Sequence, residues 1–350
     1  MLYINARFLT QDMTGVQRFA EQISQGLSQI RNDLVFLVPD EKLKIEVNPS
    51  FTIQKIGKMR GHLWEQIELP RYLKSIGSPP LLNLCSTAPL FYKNQIVTHH
   101  DITYKRYPKS FSRKFRYVYN SIIPVMLRNS KHVITVSDFS KKEIVKAFNI
   151  DKNKISVVYN AAGDGFKPGN SCEKGGYFLA VSSPNYHKNF HGMLKAFSLL
   201  DESNNIKLKV IGRSADNFNK QTYSNTENLN SRVEFLGRVE EQELVKLYQN
   251  AVAFVFPSFY EGFGIPPLEA QSCGCPVIAS SYASIPEVLD HSVLYFDPYK
   301  IEEIVGAMET IINNDSVRGK LIKLGFENTL RFSWEKSASR VNEIVSLYLE

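Results

Sequence analysis

Short apolar runs alternate with amphipathic stretches along the whole chain, and this alternation most tightly limits how it can fold. Six runs in the first half read as strands: Leu2–Ile4, Leu34–Val38, Phe51–Ile56, Leu81–Leu84, Ile96–Thr98 and Val133–Val136. Six more follow: Tyr177–Val181, Ile206–Ile211, Val233–Leu236, Val252–Phe256, Val277–Ala279 and Val293–Phe296. Most are near-continuous in apolar residues, the pattern of strands covered on both faces in a parallel sheet. Between them, Val16, Phe19, Ala20, Ile23, Leu27 and Ile30 recur at helical spacing and predict a helix over Val16–Ile30. Another helix is predicted from about Asp138 to Phe148. Strands alternating with helices give an α/β protein with doubly wound parallel sheets, which bind ligands beyond the carboxyl ends of their strands.

A chain of 350 residues exceeds what one core usually serves, so two domains are expected. The stretch Ala161–Gly176, rich in Gly, Pro, Asn and Ser, reads as the linker between a domain over residues 1–160 and another over 177–332. The closing segment Ser333–Glu350 reads as a helix with Val341, Ile344, Val345 and Tyr348 on one face, expected to pack back towards the first domain.

Composition narrows the class. A hydrophobic content of 43% supplies a sizeable core, yet no apolar run reaches the ~18 residues of a membrane span. Met1–Arg7 reads as a short strand and not as a charged-then-apolar leader. Cys85, Cys172, Cys273 and Cys275 match neither a redox nor a zinc pattern, which fits a reducing cytoplasm. The net charge of +7 is unevenly spread. Residues 102–137 hold no Asp or Glu but eight bases: Lys105, Arg106, Lys109, Arg113, Lys114, Arg116, Arg128 and Lys131. Tyr104, Tyr107, Phe111, Phe115, Tyr117 and Tyr119 are interleaved with them. Aromatics beside bases over residues 102–131 suit an anionic membrane surface. A solvated basic helix with core aromatics fits nearly as well, and nucleic acid is not expected as a partner. No G-x-x-x-x-G-K-[ST] and no G-x-G-x-x-G after a strand occur, which argues against a P-loop NTPase and a dinucleotide oxidoreductase.

The stretch Ser258–Pro276 carries the chemistry. It follows the buried run Ala251–Phe256 and holds Glu261 and Glu269 around a loop with Gly262 and Gly264, then Pro266-Pro267. Proline is favoured in a first helical turn, so a helix starts near Pro266. Glycines before a helix start offer N–H groups and a positive dipole end to a phosphate. Two carboxylates flanking such a site can meet two sets of sugar hydroxyls, a layout suited to a nucleotide-sugar. The string Ser-Phe-Tyr-Glu-Gly-Phe-Gly-Ile-Pro-Pro-Leu-Glu-Ala-Gln-Ser-Cys-Gly-Cys-Pro closely resembles the signature of the family-four retaining glycosyltransferases, which have the GT-B fold of two doubly wound Rossmann-like domains facing a cleft.

The resemblance extends over nearly the whole chain. In Thr14-Gly15-Val16-Gln17-Arg18, Gly15 and Arg18 match a first-domain loop near the donor diphosphate, although this chain has a single Gly there. Asn5 and Arg7 end the first strand. In Thr98-His99-His100-Asp101 the family's His-Asp pair falls on His100 and Asp101. This implies a place for His100 near the transferred sugar or acceptor, and an orienting or capping role for Asp101. Ser137 or Asp138 suits an N-cap. In the stretch Ser182–Asn189, Lys188 matches the family's basic residue against the diphosphate, with Asn189 beside it. Many relatives add an Arg nearby, where this chain has Ser182 and His187; His187, a base elsewhere, or Lys188 alone fills that role. Leu236-Gly237-Arg238-Val239 places the nucleotide base against the backbone of Arg238 and Val239.

The resemblance therefore implies an enzyme that moves a hexose from a nucleoside diphosphate sugar to a glycan hydroxyl, with a lipid-linked acceptor as in bacterial surface polysaccharide assembly. Glu261, His100 and Lys188 are the expected catalytic residues. Phe263, Gly264 and Ile265 would contact sugar and phosphate, and Glu269 the ribose. No two aspartates are separated by a single residue, so the metal-binding Asp-x-Asp motif of the other large glycosyltransferase fold is absent. No metal or cofactor is expected. The string looks most like mannosyltransferases using GDP-mannose; users of UDP-glucose, UDP-galactose and dTDP-rhamnose share it closely. A non-catalytic partner subunit is the alternative of another class. The expected location is cytoplasmic, or peripheral on the inner face of the plasma membrane.

Overall fold

The computed structural model describes residues 1–169, 175–182, 185–212 and 231–349. Cys172, Ser183, Pro184, Glu350 and part of the expected linker lie outside them. The chain divides into two compact units. The first comprises Met1–Lys105, Ser112–Asn160 and Ser333–Glu350; the second comprises Arg106–Phe111 and Ala161–Phe332. Two features of this division are not local in sequence. The last helix belongs with the first unit, and six residues from the first half belong with the second.

The first unit is built on seven strands: β1 (Leu2–Asn5), β2 (Leu34–Val38), β3 (Ile53–Lys55), β4 (Leu81–Asn83), β5 (Gln95–Thr98), β6 (His132–Thr135) and β7 (Ile155–Val157). Their order is β3-β2-β1-β4-β5-β6-β7, with every pairing parallel. The edge strand β7 was not legible in the sequence. It is three residues long, and its neighbours Lys154 and Tyr159 hide so short a run. β1, β4, β5 and β6 are almost wholly buried, as their continuous apolar runs require.

The helix Gly15–Ile30 turns Phe19, Ala20, Ile23 and Leu27 inward. Gly26 matters here. A Cβ on it would stand 2.4 Å from the Cβ of Ala338, so its absence lets the closing helix Trp334–Leu349 lie directly against this one. The helix Asp138–Phe148 starts as expected, with the Ser137 hydroxyl accepting from the Ser140 N–H at 3.0 Å.

The second unit repeats the same plan with six strands: β8 (Tyr177–Val181), β9 (Lys207–Ile211), β10 (Val233–Gly237), β11 (Ala253–Phe256), β12 (Val277–Ser280) and β13 (Leu294–Phe296). The order is β10-β9-β8-β11-β12-β13, again all parallel. Phe178, Phe197, Val255, Ile278 and Met308 centre its core. In both sheets the strand order reverses beside the first strand of the unit, between β1 and β4 and between β8 and β11. Such switch points hold the ligands of doubly wound folds. No helix among the described residues is long and apolar enough to cross a membrane.

Candidate functional site

At the switch point of the second unit, two loops bring opposite charges together. The loop after β8 ends in a 3-10 turn, Tyr186–Lys188, and the loop after β11 carries Glu261. Lys188 Nζ lies 2.6 Å from Glu261 Oε1, with both side chains largely shielded from solvent. The Lys188 ammonium also stands 6.0 Å from the centre of the Phe256 ring. A backbone bond ties the loops, Phe259 N–H donating to the His187 carbonyl at 2.8 Å. The loop bearing Glu261 is braced from below by Ser284, which is buried. Its hydroxyl lies 2.9 Å from the Glu261 carbonyl and 3.1 Å from that of Phe263.

The backbone then turns sharply. Gly264 has φ +101°, a left-handed conformation that residues with a Cβ rarely adopt, and a Cβ there would meet the Phe256 ring at 3.3 Å. The helix Ile265–Ser272 follows immediately. Pro266 and Pro267 have no N–H, so the donors at this positive helix end come from Gly264 and Ile265. Glu269 sits one turn further, its Oε2 accepting from the Tyr248 hydroxyl at 3.3 Å. Burial and the neighbouring carboxylate push the Tyr248 phenol well above its ordinary pKa, which keeps it a donor.

The strand ends of the first unit hold a different arrangement. Asn5 closes β1 and Asn83 closes β4, and Asn5 Nδ2 donates to Asn83 Oδ1 at 3.0 Å and to Glu65 Oε1 at 3.1 Å. Arg7 Nε donates to the same Glu65 oxygen at 3.2 Å, and its Nη2 reaches Thr87 Oγ1 at 3.0 Å. His62 Nδ1 lies 3.2 Å from Glu65 Oε2. Glu65 occupies a π-helical turn, Trp64–Glu68, and is 1% exposed. Burial alone would push its carboxyl up. The Arg7 charge, with the hydrogen bond and charge of His62, outweighs burial and holds it below the ordinary carboxylate value.

Beside this network His100 is buried edge-on to Phe19, ring centres 5.1 Å apart, with Nε2 3.2 Å from the Leu84 carbonyl. Burial keeps this imidazole neutral by lowering its pKa, although Leu84 and Asp101 oppose the shift. A carbonyl only accepts, so Nε2 carries the proton and Nδ1 is left as an acceptor. Asp101 caps the next turn by accepting from Thr103 N–H at 2.7 Å.

The comparisons with known proteins address both units. Residues 13–162 match the family model described as Glycosyltransferase Family 4, and residues 165–327 match that of Glycosyl transferases group 1. An O-antigen chain mannosyltransferase B of Escherichia coli is 30% identical over 272 residues, covering 72% of this chain and 71% of that protein. The chain belongs to the family-four glycosyltransferases. An O-antigen chain mannosyltransferase of Salmonella typhimurium is 39% identical over 214 residues, 61% of this chain and 59% of its own length. This chain thus spans about three fifths of that relative. The crystal structure of WaaG, a glycosyltransferase involved in lipopolysaccharide biosynthesis, superposes with a TM-score of 0.78 over 99% of each chain at 13% identity. The glycosyltransferase described here has the GT-B fold.

In this glycosyltransferase the expected site residues fall into three groups. Lys188, Glu261, Phe263, Gly264, Ile265 and Glu269 gather at one switch point. Asn189 stands next to Lys188 in a left-handed conformation, φ +49°, and its Nδ2 donates to the Pro298 carbonyl at 2.8 Å. Arg238 is exposed after β10 and Val239 is half-buried, following Gly237, whose carbonyl accepts from Gly212 N–H. Gly15 and Arg18, at the first helix of the other unit, and His100, at the end of β5, belong to the first unit. The His187 ring lies parallel to Phe111, and its Nδ1 is 2.9 Å from Ser110 Oγ.

Sequence reasoning missed Glu65, Ser284 and the segment Arg106–Phe111. Glu65 left a trace, a carboxylate set within the apolar rhythm of Leu63, Trp64, Ile67 and Leu69. Ser284 left none. Among the described residues, no group of three or more His, Cys, Asp and Glu side chains is arranged to hold a metal ion.

Proposed function

We propose that this glycosyltransferase moves mannose from GDP-mannose to a hydroxyl of a lipid-linked glycan, an intermediate of O-antigen, capsule or exopolysaccharide, with retention of the anomeric configuration. The observation that carries this reading is the Lys188–Glu261 pair at 2.6 Å beside the helix start at Gly264 and Ile265. A cation and two backbone donors suit a diphosphate. A carboxylate at the same place suits sugar hydroxyls. The names of the two enterobacterial relatives support mannose and the O-antigen.

In the proposed reaction the bond between the anomeric carbon and the β-phosphate oxygen lengthens towards an oxocarbenium-like state. The departing phosphate oxygen takes the proton of the acceptor hydroxyl, whose oxygen bonds to the same face. The products are the nucleoside diphosphate and a glycoside of unchanged configuration. The protein stabilises the charge growing on the leaving group and holds the reactants in register. Lys188 meets the phosphate, Glu261 and the Phe263 backbone hold the sugar, Glu269 accepts from the ribose hydroxyls, and the Arg238–Val239 backbone flanks the base. Neutral His100 offers Nδ1 to the acceptor or transferred sugar. Charge neutralisation by Lys188 and the helix start makes the reaction metal-independent. The exposed bases Lys105, Arg113, Lys114 and Arg128, with exposed Tyr117, support docking on an anionic inner membrane leaflet, where a lipid-linked acceptor resides.

The test is transfer of labelled sugar from GDP-mannose, UDP-glucose, UDP-galactose or dTDP-rhamnose to a lipid-linked saccharide. GDP-mannose should donate, with or without chelator, and the product should keep the donor's α configuration by NMR. Transfer from another donor replaces mannose. Inversion overturns the mechanism. Wild-type protein that transfers nothing in the presence of membranes points to a non-catalytic subunit.

A further inference from the structure

The chain leaves the first unit at Arg106, contributes six residues to the second and returns at Ser112. That excursion lands on the two loops that carry Lys188 and Glu261. Tyr107 lies parallel to Phe259, two residues before Glu261, with ring centres 6.3 Å apart and planes 5° apart. The Tyr107 hydroxyl is 3.0 Å from that of Tyr299, which itself stacks on the same Phe259 at 4.5 Å. Three residues on, Ser110 Oγ lies 2.9 Å from Nδ1 of His187 and accepts from its backbone N–H at 3.3 Å. Phe111 lies parallel to the same imidazole, 6.2 Å between ring centres and 2° between planes. His187 is the residue immediately before Lys188.

We propose that Arg106–Phe111 is a positioning strap for the sugar-nucleotide site, holding the loop after β8 through Ser110 and Phe111 and the loop after β11 through Tyr107. The inference rests on the reading that Lys188 and Glu261 bind the donor. Both loops are short connections whose functional side chains lie within three residues of a strap contact. A shift of either loop separates an ammonium and a carboxylate that must act within hydrogen-bond distance of one ligand, and misplacement on the ångström scale costs catalysis heavily. In the strap, Tyr107 and Ser110 act through Phe259 and His187.

Turnover is measured with the sugar nucleotide that the wild-type enzyme uses among the four above. Tyr107→Ala and Ser110→Ala should each lower kcat/KM about 10- to 100-fold, the scale of a misplaced catalytic group, with the folded fraction unchanged by circular dichroism. Ser110→Ala keeps every ring and guards against a variant that does not fold. Tyr107→Phe keeps the ring on Phe259 and should restore activity to within about threefold of wild type, since it loses a single neutral hydrogen bond. The deciding arm is the Lys188→Ala background. A strap acting through Lys188 and its partner adds little there, about twofold or less, because coupled sites are non-additive. A full second loss on top of Lys188→Ala overturns the strap, as does wild-type kcat/KM in both strap variants. Unchanged turnover in Lys188→Ala itself overturns the donor-site reading instead.

Discussion

The two units share a strand order but furnish their switch points in opposite ways. In the first, the ends of β1 and β4 carry asparagines that bond to each other and to a buried carboxylate–guanidinium pair. Its polar groups are held mainly by one another. In the second, the strand ends lead into loops with left-handed turns at Asn189 and Gly264, and the Lys188–Glu261 ion pair bridges them. A network satisfied within itself rigidifies a core. A lone pair beside a helix start remains available to exchange partners with a charged ligand. On the proposed reading, the polar groups at one reversal point serve mainly stability and those at the other hold the donor.

Substitutions should separate these two roles. The largest effect is expected for Glu261→Ala: transfer should fall about 10³-fold or more, as when a group that stabilises the transition state is removed, while the melting midpoint hardly moves. A variant that transfers like the parent removes Glu261 from the site. Glu65→Ala should do the reverse. It leaves the largely shielded Arg7 guanidinium without its buried carboxylate partner, and removing one partner of such a pair costs about 3 kcal/mol, readable by denaturant unfolding. Unfolding at the wild-type midpoint would show that the network does not hold the unit together.

The third expectation concerns pH. Burial lowers the pKa of His99 to about 4 against an ordinary 6.5, with Asp101 opposing. The unfolded chain therefore takes the proton first. Stability from this residue is complete above pH 6.5 and is lost progressively as pH falls towards 4. Unfolding free energy measured from pH 7 to 4.5 should decline less steeply in His99→Phe; identical slopes would mean that His99 does not carry the effect. The smallest change is expected for Glu269→Ala, about a tenfold weaker donor Kd (about 1.4 kcal/mol) with kcat nearly constant. A large fall in kcat with unchanged Kd would move Glu269 from ribose binding to chemistry.

What the sequence disclosed follows the same division. Glu261, Gly264 and Glu269 lie within one strand–loop–helix passage, so their relation is set by local backbone and could be read directly. Twelve of the strands announced themselves as apolar runs, most of them buried; β7, three residues at an edge, did not. The network around Glu65 joins residues some 60 to 80 positions apart, as in Asn5 to Glu65 and Asn5 to Asn83, and no spacing rule reports it. The strap was concealed for another reason. Its Tyr107 and Phe111 belong to a basic, aromatic segment that reads equally as a membrane face or as helix core, and the structure divides that segment. Tyr104 is buried against His99, Tyr117 is exposed, and Tyr107 and Phe111 pack in the second unit.

The most direct test of the donor site is a thermal-shift series with GDP, GDP-mannose, UDP, UDP-glucose, UDP-galactose and dTDP-rhamnose, with and without chelator, on the wild-type protein and on Lys188→Ala. A ligand bound to the native state alone raises stability by mass action. Tm should rise with GDP-mannose, and that rise should survive chelation and disappear in Lys188→Ala. No rise with any sugar nucleotide, or an equal rise in Lys188→Ala, would contradict the donor-site reading.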